Sequence, residues 1–237
     1  MRKLTIWCLL SALLAFGLAA PAHAASKTPT AYDKLIAKYS KMATFSTLQT
    51  EGKTSYNVFV YPIGKETNSK PKPATCAVEG KKLYMNQYRV AYFKKGDSKA
   101  EIVDPGSFAL TGKYSTVYTI KGNANLLVFA TCEASPLSSY NVFTMVNGKL
   151  KKVIGLSYGV SNAIREVSPG VYQNVDYNAV KKEWSFINYK LDRTKGRFNA
   201  IQTFTMNETQ GKDAYTYWKS DKTAVISEAY MEQYISG

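Results

Sequence analysis

The side chains in this sequence that could do chemistry are carboxylates, lysines and aromatic rings. Glu133, Glu166, Asp176 and Glu183 are the candidate acids for hydrolysis. That reaction needs two carboxyl groups about 5–9.5 Å apart across a cleft, and the partner can come from a distant segment. Acids at turns and surfaces, however, serve far more often as caps and salt-bridge partners. The one histidine, His23, lies in a segment that reads as a removable leader. Without it, histidine triads and histidine-ligated metals are excluded. No phosphate-cradling glycine loop, dinucleotide fingerprint or calcium loop is present, so no cofactor is expected. No catalytic residue and no metal ligand is assigned.

Lysine dominates the charge. The chain holds 31 Lys plus Arg against 17 Asp plus Glu, a formal net charge of +14. Short basic pairs recur at turns and strand ends: Lys70 and Lys72, Lys81-Lys82, Lys94-Lys95, Lys151-Lys152 and Lys181-Lys182. One reading is a solvated surface whose charged edges discourage aggregation. The sharper one is attraction to a polyanion such as an anionic cell-envelope polymer. Tyrosine is abundant, with 18 residues, and offers flat rings with polar tips. Lys151, Lys152, Lys181 and Lys182 together with Tyr215, Tyr217 and Trp218 make the expected binding face.

Export explains much of the remaining pattern. Arg2 and Lys3 precede an apolar run over residues 4–20, Pro21 ends it, and Ala22-His23-Ala24 supplies a cleavage site. Residues 1–24 thus have the three-part layout of a secretory signal peptide. Its removal would leave a charge of about +12 and two cysteines, Cys76 and Cys132. In an oxidising compartment these are expected to form one disulfide, contributing ~4 kcal/mol in the chain-entropy view. No later segment is apolar for long enough to span a bilayer.

Behind the tail at 25–30, Thr30 caps an expected helix over 31–42 with Tyr32, Leu35, Ile36 and Tyr39 on one face. Residues 25–46 form this tail and helix. Residues 47–226 read as β, with short Val-, Tyr-, Phe- and Thr-rich runs between Gly, Asn, Asp and Lys turns. Three segments share a layout. Tyr88, Tyr140 and Trp184 each lead a strand that is followed by a turn and a second strand, and Asn147-Gly148 is the clearest hairpin signal. A hairpin repeat of about 45–50 residues is what a propeller blade leaves in a sequence. Strands apolar on both faces need cover on both sides. The expected fold is all-β: antiparallel meander repeats, about four, propeller-like, with short helices at both ends. A β-sandwich is the alternative. Ser227 caps the second helix, in the closing segment 227–237.

The ending Tyr217-Trp218-Lys219, Asp221-Lys222, Val225-Ile226-Ser227-Glu228 and Tyr230 is similar to tails of secreted Gram-positive proteins of unknown function with propeller-like repeats. That resemblance implies a bacterial envelope setting and carries no functional residue. The expectation from all of this is a secreted, non-catalytic binding protein contacting an anionic envelope polymer or a protein. The alternative is a secreted carboxylate-based hydrolase.

Overall fold

A computed structural model describes residues 28–64, 67–69, 83–110, 116–134, 137–156, 158–160 and 163–236. The leader at 1–24, Cys76 with its expected disulfide, and Lys70, Lys72, Lys81 and Lys82 lie outside the described residues. The elements in chain order are α1 (Ala31–Met42), β1 (Phe45–Glu51), β2 (Thr54–Pro62), β3 (Thr67–Ser69), β4 (Leu83–Lys94) and β5 (Glu101–Leu110). Then come β6 (Thr116–Ile120), β7 (Leu126–Ala134), β8 (Leu137–Val146), β9 (Lys149–Val153) and β10 (Tyr158–Val160). The chain continues through β11 (Ile164–Ser168), β12 (Val171–Asn178), β13 (Glu183–Asp192), β14 (Arg197–Asn207), α2 (Glu208–Ser220) and α3 (Glu228–Ser236).

The strands form three antiparallel sheets, each cut from one continuous stretch of chain. In sheet 1, β2 and β3 share one side of β4, at residues 88–94 and 83–85, while β5 takes the other and β1 flanks β2. In sheet 2, β9 and β10 likewise share one side of β8, with β7 and then β6 beyond. Sheet 3 runs β11-β12-β13-β14. Each sheet is therefore a four-position meander. Tyr88, Tyr140 and Trp184 all stand on its third strand, so the sequence repeat is the third-and-fourth-strand hairpin of each sheet. Among the described residues there are three such units, where about four were expected.

The sheets stack face to face, at the ~10 Å spacing that side chains impose. Residues 126–130 of β7 are wholly buried. Leu127 and Phe129 point into the layer shared with sheet 1, where Phe129 stacks on Phe108 with ring centroids 4.8 Å apart. Leu126, Val128 and Ala130 point the other way, toward Ile164, Tyr172 and Phe198 of sheet 3. A strand buried on both sides needs an unbroken apolar run, and Leu-Leu-Val-Phe-Ala provides it.

Helices cover the two outer faces. On sheet 1, Tyr39 of α1 packs on Phe59, Tyr61 and Phe93, with Tyr32, Leu35 and Ile36 alongside. Thr30 caps α1, as the sequence anticipates, and Asp33 closes a reciprocal capping box with it. On sheet 3, Ala214 and Trp218 of α2, with Ile226, cover Val175, Trp184, Phe186, Phe204 and Met206.

Here the sequence reading needs correction. Residues 208–220, including Tyr215, Tyr217 and Trp218, are helical, where a β pattern was expected through 226. Asn207 caps the helix by accepting the Gln210 N–H. The helix lies so close to the sheet that a Cβ at Gly211 would sit 2.3 Å from Trp184 Cβ.

Candidate anion-binding face

The strand registers place six turns at one end of the stack: Gly52-Lys53, 95–100, 121–125, Asn147-Gly148, Pro169-Gly170 and 193–196. Asn147 and Gly148 both have positive φ, at 51° and 73°. That is the backbone a two-residue hairpin turn demands and Asn-Gly tolerates.

Carboxylates sew the turns together. Glu51, at the end of β1, accepts the N–H groups of Asn147 and Gly148 at 2.6 and 2.7 Å, and lies 3.9 Å from Arg193. Arg193 also donates to the Met145 carbonyl at 3.0 Å, so sheets 1, 2 and 3 meet at this acid and its arginine. Glu166 does the same between sheets 2 and 3, accepting from Asn123 N–H at 2.8 Å and Gly170 N–H at 2.7 Å. Nearby, the Tyr172 hydroxyl donates to the Ala124 carbonyl at 2.8 Å, and burial pushes its pKa up to about 12. Asp97 and Asp192 accept the N–H groups of Lys94 and Lys195 within their own turns.

The cations are disposed differently. Lys53, Lys95, Lys99, Lys121, Lys149 and Lys195 are all exposed at this end. Among the described residues no carboxylate lies within ion-pair distance of any of them. Glu101 is an exposed acid at the same end that accepts no turn N–H among the described residues. The face is positive on balance, six lysines and Arg193 against Glu51, Asp97, Glu101, Glu166 and Asp192, and four of those acids are bonded to backbone N–H groups, so the lysines stand without a carboxylate partner. Facing sheets stand about 10 Å apart, roughly the Debye length near physiological salt, so an extended anion crossing the end would meet several ammonium groups at once.

The residues singled out in the sequence fall into two groups. Lys151 and Lys152, exposed on β9, adjoin this face: the β13–β14 turn leans on Lys152, whose carbonyl lies 3.7 Å from where a Cβ on Gly196 would be. Lys181 and Lys182 occupy the β12–β13 turn, at the far end of β13. Ten residues of strand separate the two turns, about 30 Å. Lys182 there lies 3.8 Å from Glu208.

The aromatic candidates sit on α2. Trp218 is buried beneath the Arg165 guanidinium, 3.9 Å from the ring centroid. Tyr215 stacks on Trp184 at 5.1 Å, and only Tyr217 is well exposed, stacked on Tyr230. Exposed rings and the basic face do not converge.

The candidate acids are dispersed as well. Glu166 binds the two N–H groups already named, Asp176 accepts the N–H of Tyr177, Glu183 opens β13 and Glu133 lies on β7. The cations missed in the sequence do carry a common signal. Gly52-Lys53, Lys95-Gly96, Lys121-Gly122, Gly148-Lys149 and Lys195-Gly196 each set a lysine beside a turn glycine.

Among the described residues no group of three or more His, Cys, Asp or Glu could hold a metal ion. No helix among them is long and apolar enough to cross a membrane. Comparison with protein-family models, with curated proteins and with solved structures returns no match.

Proposed function

We propose that this is an exported, non-catalytic binding module whose hairpin end grips an extended polyanion of the cell envelope. The observation that carries the reading is the division of labour among charges. Four of the five acids at that end, all but Glu101, satisfy turn N–H groups, and the turn lysines are left without a carboxylate partner. A protein needing only solubility gains nothing from concentrating unpaired like charges on one end, where self-repulsion works against the compact state. Each sheet then plays the part of a propeller blade, presenting its turns in a row. The apolar run at residues 4–20 supports the extracytoplasmic address.

Long-chain polyphosphate is a suitable probe. If four ammonium groups are engaged, affinity should fall by roughly 50-fold between about 50 and 200 mM salt. The quadruple variant Lys53→Glu, Lys121→Glu, Lys149→Glu, Lys195→Glu should lose binding. The pair Lys34→Glu, Lys41→Glu on α1 should bind as the parent does. Salt-independent binding, or equal loss in both variants, would refute the assignment.

A further inference from the structure

A sheet edge is a row of unpaired N–H and C=O groups, and proteins blunt such edges with charge, proline, shortness or cover. Five of the six edges here are blunted. β5 carries Glu101, Asp104 and Pro105; β6 has five residues; β9 carries Lys149, Lys151 and Lys152; β11 is short and carries Arg165 and Glu166. On β1 the Leu48 carbonyl accepts the Asn125 side-chain N–H at 3.4 Å.

β14 is the least protected, with a bulge as its one such device. It is 11 residues long, and residues 198–207 contain no charge and no proline. Ala200, Ile201, Gln202 and Thr203 are exposed in succession, Ile201 by 54%. A bulge opposite Asn188 and Tyr189 bends the strand at Ile201 without adding charge. The edge already takes a partner at its first residues: Ile154 donates to the Gly196 carbonyl at 3.1 Å and accepts the Phe198 N–H at 2.8 Å. Beyond Phe198, no backbone partner occupies the outer side among the described residues.

We infer that the outer edge of β14 pairs antiparallel with β14 of a second copy of this chain. One feature favours a copy over another occupant: the ends of the strand are complementary to each other. Arg197 opens it, and Glu208 follows it immediately. Pairing centred on Gln202 sets Arg197 opposite the partner's Asn207, one residue from the partner's Glu208, and the two-fold axis repeats that contact. Arg197 has no carboxylate partner among the described residues, its Nε donating to Asn199 at 2.7 Å, and Glu208, in an exposed pair with Lys182 at 3.8 Å and accepting from the Tyr177 hydroxyl at 3.3 Å, would share its charge with it. The inference stands apart from the polyanion reading, because none of its residues is among the turn lysines tested above.

Strand pairing over one edge buries less than about 1,200 Å², so association in the micromolar range is expected. Analytical ultracentrifugation of the purified protein at tens to hundreds of micromolar should show a reversible dimer. Thr203→Lys should give a monomer with unchanged circular dichroism. Arg197→Glu and Glu208→Arg should each be monomeric alone, because each sets like charges against one another. Mixed in equal amounts they should form a heterodimer, and the double variant should dimerise again. A parent that stays monomeric over that range, or a dimer that survives Thr203→Lys, overturns the inference. So does failure of the two charge variants to rescue each other.

Discussion

The two outer sheets bear the same exposed-face problem and are covered by different means. Sheet 1 is closed by one amphipathic helix. α1 lays Tyr39 among Phe59, Tyr61 and Phe93, and its apolar stripe is joined to the sheet by one side-chain hydrogen bond, from Asn57 to the Tyr32 hydroxyl at 2.7 Å. Sheet 3 is closed by a longer assembly of α2, an extended link and α3, held by polar clamps. Buried Gln173 takes the backbone of Ile226 at both ends, donating to its carbonyl at 2.7 Å and accepting its N–H at 3.0 Å. The same side chain donates to Asn188, which donates on to Gln202. Arg165 donates to the carbonyls of Asp221 and Ala224 while it covers Trp218. A regular apolar stripe and a single hydrogen bond seat one helix. An irregular cover needs directional bonds to choose its place, because apolar contact by itself is indifferent to register.

Substitutions at the two covers should separate these modes. Trp218→Ala should cost about 3–5 kcal/mol in urea unfolding, more than Tyr39→Ala, because it removes a buried ring and leaves Arg165 without its stacking partner. Equal losses from both would erase the distinction. Gln173→Leu strands the N–H and C=O of Ile226 and should cost about 2–3 kcal/mol. Hydrogen exchange should then show residues 221–236 losing protection while α1 keeps its own; uniform loss would contradict the clamp.

The smallest effect belongs to α1. Thr30→Ala should cost about 1 kcal/mol. The Thr30 side-chain and backbone hydrogen bonds hold the Asp33 carboxyl below its ordinary value. A lowered folded pKa stabilises the native state fully above the unfolded value, and the benefit fades as pH falls through the folded one. The acid-side decline of α1 helicity should therefore be shallower in Thr30→Ala, as circular dichroism against pH would show.

The same contrast explains what could be read in the sequence. α1 was legible to the residue, since cap and stripe agree. So were the all-β character, the Asn147-Gly148 turn and the hairpins led by Tyr88, Tyr140 and Trp184. α2 was hidden because Tyr215, Thr216, Tyr217 and Trp218 are strand formers locally, and Gly211 disfavours a helix interior. Its helix is decided by contacts with Trp184 and Arg165 that no window of adjacent residues contains. The basic face was half legible: lysines at turns were evident, but register decides which turns share an end. Lys152 and Lys182 look alike in sequence and lie at opposite ends of β13.

Because every sheet is made from neighbouring strands, the order of synthesis is also the order of stacking. A growing chain can complete α1 and sheet 1 while nothing downstream exists, then lay sheet 2 upon it. At each stage its newest sheet presents a bare oily surface, and that hazard ends only when residues 208–226 arrive. A product cut short before Glu208 should thus be a substrate for chaperones or aggregation, although all fourteen described strands would already be made.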